Sequence, residues 1–228
     1  DTAIMLKGDA VQSFTMLFLE MWAVNQMEPA DCQNYLTPKH VVPDPPHGYV
    51  IPYGDHPYDN ENVGEEVYFH ILNHSKKYVH IMTPYLILDS EMITTLTRAA
   101  KSGIEVIIIM PHIPDKWYAF VLAHTYYKEL IQAGVSIYEY TPGFVHAKVF
   151  VSDDDTATVG TINLDYRSLY LHFECGAYIY DHPVVADIEQ DFQETLKKCQ
   201  KISLTEVENR PVTYKVMGQI LRLIAPLM

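Results

Sequence analysis

Residues 144–174 read FVHAKVFVSDDDTATVGTINLDYRSLYLHFE. Val145, Ala147, Val149 and Val151 alternate with His146, Lys148 and Phe150. A period of two predicts a strand, and it sets His146 and Lys148 on one face. A nucleophile or acid beside a fixed cation suits phosphoryl chemistry, where the transferred group spreads negative charge over its oxygens. The β-branched run Thr156–Val159 predicts a second strand returning beside the first. A turn at Gly160-Thr161 then carries Asn163 back to the His146/Lys148 end, as an uncharged donor for a third oxygen. Glu174 stands in a further alternating run that reaches Tyr180. From there it is expected to hold the second ring nitrogen of His146 and fix its tautomer.

A lone His or Lys on a strand is ordinarily structural. The spaced set His146, Lys148, Asp153, Gly160 and Asn163 is not. Five fixed residues at roughly 5% each, over about 200 starting points, coincide by chance with odds on the order of 10⁻⁴.

The set resembles the HKD motif of the phospholipase D superfamily, HxKxxxxDxxxxxxGxxN, at every fixed position, with Thr161 where the family often has Ser. The segment Asn163–Leu169 is similar to the one that follows the second motif of bacterial cardiolipin synthases. PYLILD (84–89), EVIIIMP (105–111) and LTEVENRP (204–211) are similar to strings of the same enzymes. Asp115-Lys116 stands where some members have Asp-His, which puts a role for position 116 in doubt. His74-Ser75-Lys76 also fits HxK, but Ile81 takes the place of the acid and no Gly or Asn follows. One motif is therefore read, not two.

The resemblance implies an α/β fold: a phospholipase D-like mixed sheet with helices on both faces. It implies transfer of a phosphatidyl group through a phosphohistidine, without metal or other cofactor. The catalytic set is His146, Lys148, Asp153 and Glu174, with Asp153 in a structural rather than proton-donating role. Lys148, Asn163 and Thr161 would bind phosphate. The substrate implied is phosphatidylglycerol, and the product cardiolipin with release of glycerol. Rival readings are hydrolysis of phospholipids or other phosphodiesters, and a non-catalytic half-site. The second histidine is expected from a missing upstream half carrying the first motif, or from a second copy in a homodimer. Residues 1–37 are expected to be the tail of that upstream half, 38–64 a linker, and 65–228 the second catalytic domain.

Charge narrows the partners. The 228 residues hold 16 Lys and Arg against 29 Asp and Glu, a net −13. That disfavours nucleic acid, whose affinity comes mainly from cations neutralising phosphates. It also disfavours a broad basic membrane face, while a locally positive pocket stays open. Cys32, Cys175 and Cys199 form no CxxC pair and read as reduced thiols. No run reaches the roughly 18 apolar residues of a membrane span. Work at the cytoplasmic face of a bacterial membrane is expected, with the membrane surface as a partner.

The remaining pattern predicts a strand at Thr2–Leu6 and a helix from Asp9 to about Asn25. The Pro-, Gly- and Asp-rich stretch 38–64 predicts a connection, with a short strand near Tyr49–Pro52 and loop histidines His40, His47 and His56. Strands are predicted at 78–82, 104–110 and 135–140. They alternate with helices at 62–77, 89–101 and 117–132, which is the pattern of an α/β sheet. Pro183–Cys199 predicts an amphipathic helix, 204–211 a polar link, and Tyr214–Met228 a closing helix. Docking on the domain is the ordinary role for that last helix, and contact with a bilayer surface the alternative.

Overall fold

The apolar run IEVIIIM becomes β3 (Glu105–Pro111), and its neighbours explain its composition. The computed structural model describes residues 1–26, 32–36 and 48–227. β3 lies between β2 (Tyr78–Met82) and β4 (Ser136–Tyr140), parallel to both. Every residue of β3 after Glu105 is buried, as a strand covered on both faces requires. The helices between these strands start and stop where the sequence marks them. Asp89 caps α3 (Ser90–Lys101) by accepting from the Met92 N–H at 2.7 Å. α4 (Trp117–Ala133) ends at Gly134, where φ is +106°, a turn that glycine makes without steric cost.

The central hairpin pairs β5 (Val149–Ser152) antiparallel with β6 (Thr156–Gly160), Val149 opposite Val159. β5 also pairs antiparallel with β2, placing Met82 beside Val149. β7 (Glu174–Tyr180) and β1 (Tyr49–Asp55) extend the sheet on one side, and β8 (Cys199–Lys201) closes the other. Among the described residues the strand order is β1-β7-β6-β5-β2-β3-β4-β8. β1, β5, β6, β7 and β8 join antiparallel and β2, β3 and β4 parallel, so the sheet is mixed.

Helices cover both faces. On one side pack α2 (Val63–His74), α3, α4, α7 (Leu204–Glu208) and α8 (Val212–Leu223), around a core in which Phe150 stacks on Tyr68 at 4.0 Å. Such an aromatic pair adds about 0.5–1.5 kcal/mol beyond its buried area. On the other side α6 (Val184–Leu196) buries Val185, Ile188 and Phe192 against Val149, Val151 and Ala157. α8 docks on α4 through Gly218, where a side chain would strike Thr125.

Several expectations are corrected. Thr2–Leu6 forms no strand; Thr2 instead bonds Asp191 on α6 at 2.9 Å, and Ile4 packs on the second core. The motif strand begins at Val149, so His146 and Lys148 lie on an extended lead-in before the ladder. The link 204–211 contains α7, with a capping box between Ser203 and Glu206. The closing helix stops at Leu223 and is followed by a 3-10 turn, Ala225–Leu227. His40 and His47 lie outside the described residues. His56 is half-buried, with its ring 5.7 Å from that of Phe173. α1 (Ala10–Gln26) follows the expected helix and packs on β1.

Asp153 sits in the β5–β6 turn at φ +54°. Its carboxylate accepts the N–H groups of Lys76, Lys77 and Tyr78 at 2.6, 2.9 and 3.0 Å. It therefore fixes where β2 starts beside β5. Asp153→Ala is expected to cost about 2 kcal/mol through the three released donors. That corresponds to a fall in Tm of roughly 4–8 °C, and unchanged thermal melting would show that the turn holds without it.

Candidate active site

The carboxyl ends of β2, β3 and β4 and the amino end of β5 meet at one rim of the sheet. In α/β sheets this is where ligands bind, because loops diverge there and leave a crevice. A cavity of about 700 Å³ opens at this rim, with His146, Asn163, Asp165, Ser168, His172 and Glu174 in its lining. Tyr85 comes to it from the loop after β2, and Lys116 and Trp117 from the loop after β3. Leu221, Ile224 and Leu227 form a wall from the chain's last helix and turn.

His146 is half-exposed. Its Nδ1 lies 3.2 Å from Asp1 Oδ2. The ring's carboxylate partner is thus Asp1, 145 residues away, and not Glu174 as the spacing suggested. Burial and the nearby Lys148 ammonium hold the imidazole below its ordinary pKa, with Asp115 opposing them. Both effects favour the neutral ring, the form that can attack phosphorus.

Lys148 is only 7% exposed. Its Nζ donates to the His146 carbonyl at 2.5 Å. Burial brings its pKa down to about 8, partly offset by Glu174 and Asp165. A buried ammonium with a carbonyl acceptor is poorly compensated, and an anion arriving beside it regains what desolvation removed.

Asn163 is held on a loop fixed from two sides. Tyr68 donates to the Ile162 carbonyl at 2.6 Å, and Ile87 N–H donates to the Leu164 carbonyl at 2.8 Å. Asn163 Nδ2 donates to Ser168 Oγ at 2.9 Å, while its Oδ1 is buried without a hydrogen-bond partner. One end of this amide is therefore committed and the other is available. Gly160 makes the approach possible, since a side chain there would collide with the backbone of Cys175 and Gly176.

Glu174 lines the cavity but serves the site's frame. It accepts from Thr161 and Ser168, and burial raises its pKa. Thr161 turns away from the cavity: its hydroxyl donates to Glu174 and accepts from the Cys175 N–H at 3.1 Å. Its expected phosphate contact is corrected accordingly. Asp153 is also removed from the catalytic set. It lies at the opposite end of β5, about seven residues and roughly 20 Å of extended chain from His146.

Residues the spacing did not single out complete the site. Asp165 caps α5 (Tyr166–Tyr170) by accepting from the Ser168 N–H at 2.7 Å, which aims Arg167 and Ser168 at the cavity. Its D-x-x-S cap pattern was legible. Tyr170 anchors the far end of α5 by donating to Glu65 and to Asp89, at 2.8 and 2.6 Å. Burial, with Asp89 alongside, pushes Glu65 up to about 8. His172 Nδ1 lies 3.9 Å from Glu174. Lys116 stands over the Tyr85 ring at 5.3 Å, and Tyr85 donates to Asp115 at 2.5 Å. Among the described residues, no group of three His, Cys, Asp or Glu is arranged to hold a metal ion.

A family model described as cardiolipin synthase, PLD-like domain matches residues 68–196. An uncharacterized protein of Streptococcus mutans is 52% identical over 229 residues, covering all of this chain and 49% of that protein. Cardiolipin synthase 2 of Bacillus anthracis is 35% identical over 228 residues, again covering all of this chain and 44% of that protein. The chain thus spans about half the length of these relatives. Phosphatidylserine synthase of Haemophilus influenzae shares the fold at a TM-score of 0.63 and 17% identity, over 78% of this chain and 48% of that one. Nuc of Salmonella typhimurium, a phospholipase D family member, does so at 0.56 and 17%, over 66% of this chain and 98% of that one.

The Lys148 titration predicts how anions bind. Sulfate, whose charge is constant across this range, should bind evenly below about pH 7 and weaken about tenfold per unit above Lys148's pKa near 8. Calorimetric titration of wild type and Lys148→Met checks this; an equal pH profile in the two would remove Lys148 from the anion site. In the same chain Asp1→Asn, and not Glu174→Gln, should change the His146 tautomer read by ¹⁵N NMR.

Proposed function

The chain belongs to the family of cardiolipin synthase, phospholipase D-like domains, and on that footing we propose that it is the second, motif-bearing lobe of a phosphatidyltransferase. The enzyme joins two phosphatidylglycerol molecules into cardiolipin and releases glycerol, at the cytoplasmic face of a bacterial membrane. The observation that carries this reading is the accessible His146 in the lining of an open cavity, with the buried Lys148 ammonium bonded to its carbonyl. That pair offers a phosphate diester both a nucleophile and a charge to rest on.

The reaction runs in two displacements. One histidine attacks phosphorus, the P–O bond to glycerol breaks, and a phosphohistidine forms. The opposing histidine gives the leaving glycerol its proton. It then takes the proton from the hydroxyl of a second phosphatidylglycerol, whose oxygen displaces the first histidine. Proton transfer of this kind contributes typically ~10²–10⁴ in rate. Lys148 holds the non-bridging oxygens, whereas the unpaired Asn163 Oδ1 is an acceptor and suits a substrate hydroxyl. A preorganised donor such as Lys148 is worth roughly 3–4 kcal/mol at the transition state. Asp1 orients His146, and Glu174 keeps Thr161 and Ser168 in register. His146 is one of the two histidines, and the other comes from an upstream half or from a second copy across a two-fold axis. Residues 1–37 then belong to the upstream half, and the second lobe takes in β1 from Tyr49 onward, since that strand is part of its sheet.

The test is glycerol release from phosphatidylglycerol in mixed micelles, by this chain alone and with its upstream half restored. His146→Ala should abolish release in either form while leaving thermal melting unchanged. Chelator should leave the rate unaltered. Choline or phosphatidic acid appearing in place of cardiolipin, from mixed phospholipids in water, would make hydrolysis the reaction instead.

A further inference from the structure

The chain's last helix is apolar on two faces, and the fold covers one of them. Tyr214, Gly218, Leu221 and Ala225 turn inward, toward α4 and the first core. Val212, Val216, Ile220, Leu223 and Leu227 turn outward, spaced 4, 4, 3 and 4 residues apart along one stripe. Val212 is 74% exposed, Leu223 83% and Leu227 80%. Packing inside this chain explains the first stripe and leaves the second without a partner among the described residues.

The stripe leads to the active-site mouth. Leu227 ends it and, with Ile224, also lines the cavity that holds His146. Trp117, the first residue of α4 and 61% exposed, stands in the same lining, and exposed Ile113 lies on the loop before it. Charge marks the same edge. Residues 211–228 carry Lys215 and Arg222 and no carboxylate, in a chain that holds 29 carboxylates. Arg222 lies over the Tyr126 ring at 4.5 Å, and Lys215 reaches back to the Glu208 carbonyl. Both cations thus flank the stripe rather than interrupt it.

We propose that α8, the turn after it and Trp117 form a bilayer-docking rim, which rests on the membrane surface and sets the cavity mouth against the lipid headgroups. This rests on the reading of the cavity as a phospholipid site. An apolar helical stripe, an exposed Trp at the same cavity mouth and cations without carboxylates on the helix are the composition of an element lying in the interface plane. The geometry also suits the substrate. A phosphate diester can reach His146 and Lys148 while its acyl chains stay in the bilayer, so the lipid need not leave the membrane to react.

The test uses the 228-residue chain and vesicles of pure phosphatidylcholine, then of phosphatidylcholine with phosphatidylglycerol. Cosedimentation should show binding to both, stronger to the second. Val216→Asp with Ile220→Asp, both outward-facing, should weaken binding about tenfold or more; Val216→Ser with Ile220→Ser serves if the aspartates unfold the chain. In a Trp22→Phe background, Trp117 fluorescence should shift to the blue with vesicles and be quenched by brominated acyl chains. Absence of vesicle binding, or equal binding by the double variants, would overturn the rim. So would a wild-type dimer that the double variants turn into a monomer, since the stripe would then be an interface between copies. Binding to phosphatidylcholine needs no turnover, so loss of the transfer reading in the glycerol assay and loss of the rim are separate results.

Discussion

The Asp153 carboxylate is the tie on which the geometry of the site depends. Three consecutive backbone N–H groups, from Lys76 to Tyr78, converge on it. They lock the start of β2 to the end of β5 and so set Val79 opposite Ser152. Register in a sheet is all or nothing, because a slip of one residue turns every side chain to the other face. Here a slip would send Lys148 and Phe150 toward the α6 side and Val149 and Val151 toward Tyr68. The motif's acidic residue thus acts from one end of β5 on the chemistry at the other. Its fixed distance from His146 in sequence is the length of the strand between them.

A second constraint acts at the site itself. A desolvated ammonium at Lys148 is tolerable because Glu174 and Asp165 lie near enough to oppose its loss of charge without pairing with it. Burial raises the pKa of both carboxyls, as it lowers that of the ammonium. The hydrogen bonds that keep them in place, from Thr161 and from Ser168, also fix the loop that carries Asn163. Tyr170, Glu65 and Asp89 hold the other end of α5. The cavity is therefore framed by buried polar groups bonded to one another, and such a network keeps its shape when a ligand arrives.

The sequence was informative where a local rule decided the outcome. The apolar run of β3, the Asp89 cap and the glycine stops at Gly103 and Gly134 each placed an element to within a residue or two. The motif placed the hairpin and the approach of Asn163 to His146. It was uninformative where the outcome depended on distant chain. Thr2–Leu6 has the composition of a strand, but the sheet edge nearest in sequence is taken by β1 pairing with β7, whose partners are more than a hundred residues apart. Asp1 reaches His146 through tertiary packing that no spacing records, and Glu174 was the nearer carboxylate to suppose. Thr161 was read as a phosphate ligand because a hydroxyl follows Gly160; the turn aims it at Glu174 instead. The short elements α5, α7 and β8 carry too few residues for periodicity, and α7, capped by Ser203 and Glu206, was read as a polar link.

The chain is acidic overall, yet the cavity lining carries Lys116 and Arg167 beside Asp165 and Glu174, and that local balance has a physical use. A net −13 repels an anionic surface at long range, but at physiological salt that repulsion fades beyond about 8 Å. Within that distance orientation decides. A face rich in carboxylates meets headgroup phosphates at a cost, whereas the last helix and turn, residues 212–227, meet them with Lys215, Arg222 and apolar side chains. The acidic body and the carboxylate-free last helix thus favour one approach over others, and on the proposed reading it is the one that presents the cavity mouth. Burial of Lys148 sharpens the choice, because the attraction of a desolvated ammonium to an anion is screened less than that of an exposed one.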